Sequence, residues 1–271
     1  MAEPATTAFG PLIDTHAHLD DPRMARDLGG VLSRAREAGV TQVVAIGTTA
    51  DSSRETVALA GAHRGLFAAI GIQPNHVAEA QPGDWERIVD LVTAPKVVAI
   101  GETGLDRYWD RSPFPLQQDL FDRHLALAFE HDLPVVIHCR QCEADIITQL
   151  ERLGRPVSGI LHSFTGNWDD AQAFLALGLH LSFAGMVTFR NESLDPLREV
   201  AARMPIDRLL VETDSPYLSP HPFRGKTNEP ARVALTCGRI AELRGMEPVA
   251  LAVQTTSNAA RLFGIEGADP I

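Results

Sequence analysis

The chain has 271 residues, 45% of them hydrophobic and 22% charged, with a formal net charge of −11 at pH 7. The length suits one α/β barrel, which takes about 250 residues, and the composition excludes a disordered chain. The acidic balance gives no support to a protein that wraps duplex DNA by bulk charge, although bound cations and local arginines can make a positive mouth on an acidic body.

Residues 1–10 (MAEPATTAFG) lack a basic region followed by an apolar run, so no secretory signal is expected, only a flexible N-terminus. No stretch approaches about 18 uninterrupted apolar residues, so no membrane span is expected. The cysteines, Cys139, Cys142 and Cys237, are too sparse for a disulfide framework and point to a reducing, cytoplasmic setting.

In chain order, short apolar runs predict strands at 12–18, 41–47, 66–72, 97–102, 134–139, 158–163, 180–184 and 208–213. Helical spacing fills the intervals at 28–38, 51–63, 84–92, 117–131, 142–153, 168–177 and 193–203, and a longer helical region fills 230–263. Gly39, Gly65, Gly154 and Gly178 fall just past helix ends, where a left-handed cap would sit. This alternation predicts a parallel sheet. Eight units favour closure into a single (β/α)8 barrel of TIM type over residues 1–271, although an open doubly wound sheet shares the rhythm. The irregular stretch 103–116 follows the fourth strand and is expected to form a functional loop at the barrel mouth.

The strongest local signal is Asp14-Thr15-His16-Ala17-His18. Residues two apart on a strand point the same way, so His16 and His18 offer two converging imidazoles to a divalent metal. Glu102, His138, His162 and Asp214 each end or follow a later apolar run. In a barrel, all these strand ends meet at one mouth, where barrel enzymes keep their active sites. Four histidines and two carboxylates are too many for one tetrahedral ion but suit two divalent cations, with a carboxylate bridging them. Softness of the donors favours Zn, Mn, Co or Ni over Mg. Asp214 is also a candidate general base.

These motifs resemble the TatD-type DNase family of the amidohydrolase superfamily. The matching text is DTHAHLD (14–20), GETGLD (101–106), PVVIHCR (134–140), LHSFTG (161–166), GMVTFRN (185–191), LVETDSPYL (210–218) and HPFRGKTNEP (221–230). The resemblance covers about residues 12–265 in the right order. It implies a barrel, a divalent metal pair and phosphodiester hydrolysis, usually of DNA at single-stranded or frayed ends, here of 3'-5' exonuclease type. It further implies that His16 and His18 hold one metal, His138 and His162 the other, that Glu102 bridges, and that Asp214 completes the first site. The sequence departs from the family where many members read GxHP, since Gln73 stands at the histidine position; His76 lies three residues on. Gln141 stands where an acidic residue is common.

For the substrate, Arg140 and Arg224 are the favoured phosphate ligands, with Arg107, Arg190 and Lys226 as further basic residues in mouth loops. Gln73 can hydrogen-bond a phosphate. Tyr108, Trp109, Phe164 and Phe223 could stack bases or pack under loops. The Cys139/Cys142 pair and His63, His124, His131 and His180 read as structural. Two rivals remain open: a hydrolase of small amides, lactones or phosphoesters on the same barrel, and a non-catalytic metal-binding scaffold. DNA or another phosphodiester is the expected partner and no membrane is; the oligomeric state is left open, a monomer being plausible.

Overall fold

The computed structural model describes residues 10–271; the expectation of a flexible N-terminus lies outside that range, Gly10 apart. Along the chain run β1 (Leu12–Ala17), α1 (Pro22–Ala25), α2 (Leu28–Glu37), β2 (Val40–Ile46), α3 (Ala50–Ala62), β3 (Leu66–Ile70), α4 (Asp84–Leu91) and β4 (Val97–Asp106). There follow α5 (Phe114–Glu130), β5 (Val135–Arg140), α6 (Glu143–Glu151), β6 (Gly159–Leu161), α7 (Trp168–Ala176), β7 (His180–Phe183), α8 (Asp195–Arg203), β8 (Leu209–Val211), α9 (Val233–Arg244) and α10 (Pro248–Phe263). The eight strands pair in sequence order, every pair parallel, which is the (β/α)8 barrel and not an open doubly wound sheet.

Closure between β1 and β8 rests on a few bonds, because β8 is short. Ala17 bridges to Ser215, the His18 amide donates to the Ser215 carbonyl at 2.8 Å, and the Asp214 amide donates to the His16 carbonyl at 2.9 Å. Buried Asp14 adds a side-chain clamp, accepting from the Thr213 amide (2.9 Å) and hydroxyl (2.6 Å). The seam of the barrel therefore runs through the segments that carry His16, His18 and Asp214.

Two apolar layers follow from the strand period of two. Val44, Ile46, Phe67, Ala69, Val98, Val136, Ile160 and Leu210 pack inside the barrel, closed below by Phe263 at the end of α10 and Ile265 just beyond it. Val43, Leu66, Ile100, Val135, Ile137, Leu161, Leu181 and Val211 pack outward against the helices.

Two boundaries differ from expectation. The stretch after residue 102 is not irregular from its start: β4 continues to Asp106, with a register shift between Ile100 and Thr103. Gly101 (φ 138) and Gly104 (φ 128) make this continuation fit, since a Cβ at either would lie 2.5 Å from the Val136 carbonyl or 2.2 Å from the His138 carbonyl. The 230–263 region is two helices, because Gly245 ends α9 in a left-handed turn and Pro248 opens α10. Gly39, Gly65, Gly154 and Gly178 all take positive φ.

His124 is structural, and its environment sets a pH response. Fully buried on α5, its Nδ1 donates to the Leu120 carbonyl (2.7 Å) and its Nε2 accepts from the Ile72 amide (3.0 Å). Protonation would break the second bond, and burial pushes the ring's pKa down from 6.5 to about 4. The unfolded chain thus takes up this proton more readily than the folded one. The stabilisation is complete above pH 6.5 and fades as pH falls toward 4, by up to about 3 kcal/mol. Denaturant titrations over that range should show wild type losing stability more steeply than His124→Gln; parallel curves would contradict this.

Candidate metal centre

The interior positions of the strands, continued upward, become the polar cluster. Val136 is followed two residues on by His138, Ile160 by His162, and Leu210 by Glu212. The six side chains expected to converge, His16, His18, Glu102, His138, His162 and Asp214, do meet toward the C-terminal mouth, carried within β1, β4 and β5 or just past β1, β6 and β8. Asp214 reaches in from a left-handed backbone (φ 54), a conformation aspartate tolerates, held by Asn228 Nδ2 donating to the Thr213 carbonyl at 2.9 Å.

Glu102 lies at the centre, and its two oxygens face different groups. Oε2 is 3.5 Å from His16 Nε2 and 3.8 Å from His18 Nε2; Asp214 Oδ1 is 3.7 and 3.4 Å from the same two nitrogens. Oε1 is 2.9 Å from His138 Nδ1 and 3.2 Å from His162 Nε2. The rings of His16 and His162 stack at 4.0 Å, joining the halves. A tetrahedral ion with bonds of about 2.1 Å separates its donors by roughly 3.4 Å, so these spacings and this donor set suit divalent cations.

Two buried carboxylates, not anticipated from the sequence, orient the second histidine pair. Asp106 Oδ2 accepts from His138 Nε2 at 2.9 Å, leaving Nδ1 toward Glu102. Glu212 Oε1 lies 3.4 Å from His162 Nδ1 and accepts from the Ser163 amide at 2.8 Å. Asp106 is itself held by Asn75 Nδ2 (3.0 Å) and by the Tyr108 and Trp109 amides. The interior period of β8 was the available signal for Glu212; for Asp106, the continuation of β4 hid it.

Electrostatics follow from burying both charge types together. Burial alone would raise Glu102, but the charge of His162 and hydrogen bonds from His138, His16 and His162 hold it well below the ordinary carboxylate value. Burial would lower His18, yet Asp214 and Glu102 lift it to about 9. His162 is likewise raised by Glu102 and Glu212 against burial, and His138 by Asp106 and Glu102. His16 goes the other way, lowered by burial and by the charge of His162. Asp106, opposed by burial, is brought to about 2 by His138 and its amide donors.

The cluster floors a cavity of about 960 Å³. Gln73, Asn75, His76, Trp109, Arg111 and Arg140 line one part of its wall, and Tyr217, Leu218, Met186 and Leu194 another. Gln73, expected to meet substrate, is on this wall, though its Oε1 caps the Asn75 amide at 2.9 Å. Arg140 also lies on the wall, its guanidinium 4.1 Å over the ring of Tyr108, which is exposed, is not part of the wall and stands edge-on to Trp109. Arg111, not singled out from the sequence, covers Trp109 at 4.9 Å. Arg107 is absent from the wall: it forks onto Asp145 of α6 at 2.7 and 2.8 Å and packs over Phe114, a tie between β4 and α6. Arg224 is also off this wall, lying 4.0 Å over Phe189. Phe164 is buried against Phe183, and Phe223 is covered by Lys226 and Arg232. Cys139 and Cys142 are free thiols 3.9 Å apart.

A barrel with an imidazole–carboxylate cluster at its C-terminal mouth is the build of a metal-dependent barrel hydrolase. Comparison with known proteins narrows this class. The chain belongs to the family of TatD-related DNases, whose model matches residues 13–264. It is 41% identical over 255 residues to the uncharacterized metal-dependent hydrolase YabD of Bacillus subtilis, covering 94% of this chain and 99% of that one. It is 36% identical over 258 residues to the 3'-5' ssDNA/RNA exonuclease TatD of Pantoea vagans, covering 93% and 99%. The crystal structure of YjjV, a TatD homologue from Escherichia coli, superposes with a TM-score of 0.88 at 33% identity, covering 94% and 98%.

Since His18, His138 and His162 are held above the ordinary imidazole pKa, bound cations must displace protons. Calorimetry should show proton release on metal binding and an affinity that climbs as pH rises from 6.5 toward 9. Asp106→Asn or Glu212→Gln should weaken metal binding roughly 10- to 100-fold. Affinity that ignores both pH and these carboxylates would contradict the assignment.

Proposed function

We propose that this protein is a phosphodiesterase that hydrolyses nucleic acid from an end, in the manner of a 3'-5' exonuclease, using two divalent cations. The carrying observation is the division of Glu102, with one oxygen toward His16 and His18, the two rings that Asp214 also faces, and the other toward His138 and His162. In this reading His16, His18, Asp214 and Glu102 would hold one cation, and His138, His162 and Glu102 the other. The donors favour Zn, Mn, Co or Ni over Mg. Cations held there would acidify an attacking water and polarise the phosphoryl group. The exonuclease name of the Pantoea relative supports the substrate class.

The chain's own residues supply the rest. Asp214, ionised and facing the cavity, accepts the proton of the attacking water. Arg140, which makes no acid pair among the described residues, orients a phosphate oxygen, and Gln73 offers an amide on the wall of the same cavity. Tyr108 and Trp109, backed by Arg140 and Arg111, give unpaired bases a stacking surface. The reading takes residues 1–271 as a single catalytic unit, sufficient as a monomer. A cytoplasmic setting is part of the proposal, supported by the three free thiols. No helix among the described residues is long and apolar enough to cross a membrane.

Hydrolysis of single-stranded DNA should vanish with a chelator and return with added metal. Glu102→Ala should abolish it, and Asp214→Asn should lower kcat by about 10²- to 10⁴-fold. Rates indifferent to chelator and to both substitutions, or turnover of a small ester or amide but never of DNA, would overturn the proposal.

A further inference from the structure

A second cavity, of about 650 Å³, lies beyond the rim of the first, between α8 and α9. Thr188, Phe189 and Arg190 wall it from the loop after β7, His221 from the loop after β8, Arg198 from α8, and Arg239 and Glu242 from α9. Its lining thus holds three arginines against one carboxylate, on a chain whose net charge is −11.

The arginines differ in what they have left to offer. Arg198 is engaged: it donates to the Phe189 and Asn191 carbonyls at 2.7 Å each and pairs with Asp195, fixing the loop. Arg239 pairs with Glu242 at 2.6 Å and is partly exposed. Arg190 is exposed and makes no ion pair, hydrogen bond or ring contact among the described residues. An arginine left without an acid on an acidic protein, beside an arginine-lined groove, is an open bidentate donor for an anion.

The two cavities share a wall. Met186 and Leu194 face the metal-centre cavity, while Thr188, Phe189 and Arg190, between them in sequence, face the groove. That ridge is set in place rather than loose. The Thr188 hydroxyl donates to the Gly185 carbonyl at 2.6 Å and accepts from the His221 amide at 2.8 Å. Gly185 packs so closely that a Cβ would lie 2.0 Å from the Leu218 carbonyl. A chain with its reactive end at Glu102 and Asp214 that crosses this ridge meets the Phe189 ring, capped by Arg224, and then the groove.

We infer that the groove between α8 and α9 is a second anionic subsite, which holds the phosphate backbone of a single-stranded polynucleotide several nucleotides from the bond being cut. This rests on the phosphodiesterase reading above and extends it: the enzyme selects strands over short fragments. A backbone track combined with an aromatic face is the usual chemistry for sequence-tolerant single-strand binding.

The test uses the full-length, metal-supplied protein and three substrates: a small aryl phosphodiester and thymidine oligonucleotides of about 4 and about 20 nucleotides. Wild type should favour the longer strand in kcat/KM by about tenfold, with each lost phosphate contact reducing the salt slope by about 0.7. Arg190→Gln, at an exposed and unpartnered side chain, and Arg190→Glu/Arg239→Glu should erase that preference through KM. Turnover of the aryl diester should stay within about twofold of wild type, since the groove lies beyond the reacting atoms. Arg155→Glu is the charge control, in a groove of similar size between α5 and α6 that meets β6 at its opposite, N-terminal end. It should change nothing. Equal use of both oligonucleotides by wild type, a preference surviving in the variants, or an equal loss in Arg155→Glu would each overturn the subsite while leaving the phosphodiesterase standing. Hydrolysis of the aryl diester with neither oligonucleotide cut would remove the subsite and the nucleic-acid substrate together.

Discussion

A carboxylate buried at 2% exposure cannot stay ionised unless cationic or hydrogen-donating groups surround it. Glu102 meets that condition through four imidazoles carried by three strand ends, and much of the upper barrel is arranged to bring them there. The seam between β1 and β8 is part of the same arrangement. The Asp14–Thr213 clamp and the Asp214–His16 backbone bond close the barrel and set the angle at which His16, His18 and Asp214 face Glu102. Stability and site geometry therefore share bonds here, and a change to one is felt by the other.

The asymmetry between the two halves of the cluster has a physical origin. His138 and His162 are each backed by a carboxylate, Asp106 or Glu212, that raises the basicity of the ring. His16 has no such partner: its Nδ1 is buried without a hydrogen bond, and its pKa is depressed. Should two cations bind as proposed, the electron-rich half and the half carrying Asp214 would hold them unequally, a basis for one tightly and one loosely held ion.

The barrel and the six converging side chains were legible because each donor closes an apolar run, and parallel strands put all such ends on one face. What stayed hidden depended on contacts distant in sequence or on local backbone. The turn-like Gly101 and Gly104 made the end of β4 read as loop, and Asp106 went with it. Arg107 looked like a phosphate ligand from its place after a strand, but Asp145, 38 residues on, takes the Nε–Nη2 edge of its guanidinium with both carboxylate oxygens. Glu212 sat two residues before the more conspicuous Asp214; only the inward parity of Leu210 marks it. The rim arginines divided in a way that composition could not show, Arg140 and Arg111 stacking on aromatic rings at the cavity wall while Arg190 turns toward a separate groove.

The central claim is that Glu102 stands between two cations. Anomalous diffraction from crystals grown with zinc or manganese tests it without reference to any substrate. The account predicts two peaks about 3.5–4 Å apart, one on each side of the Glu102 carboxylate. One peak alone, or two peaks with Glu102 contacting neither, would contradict it.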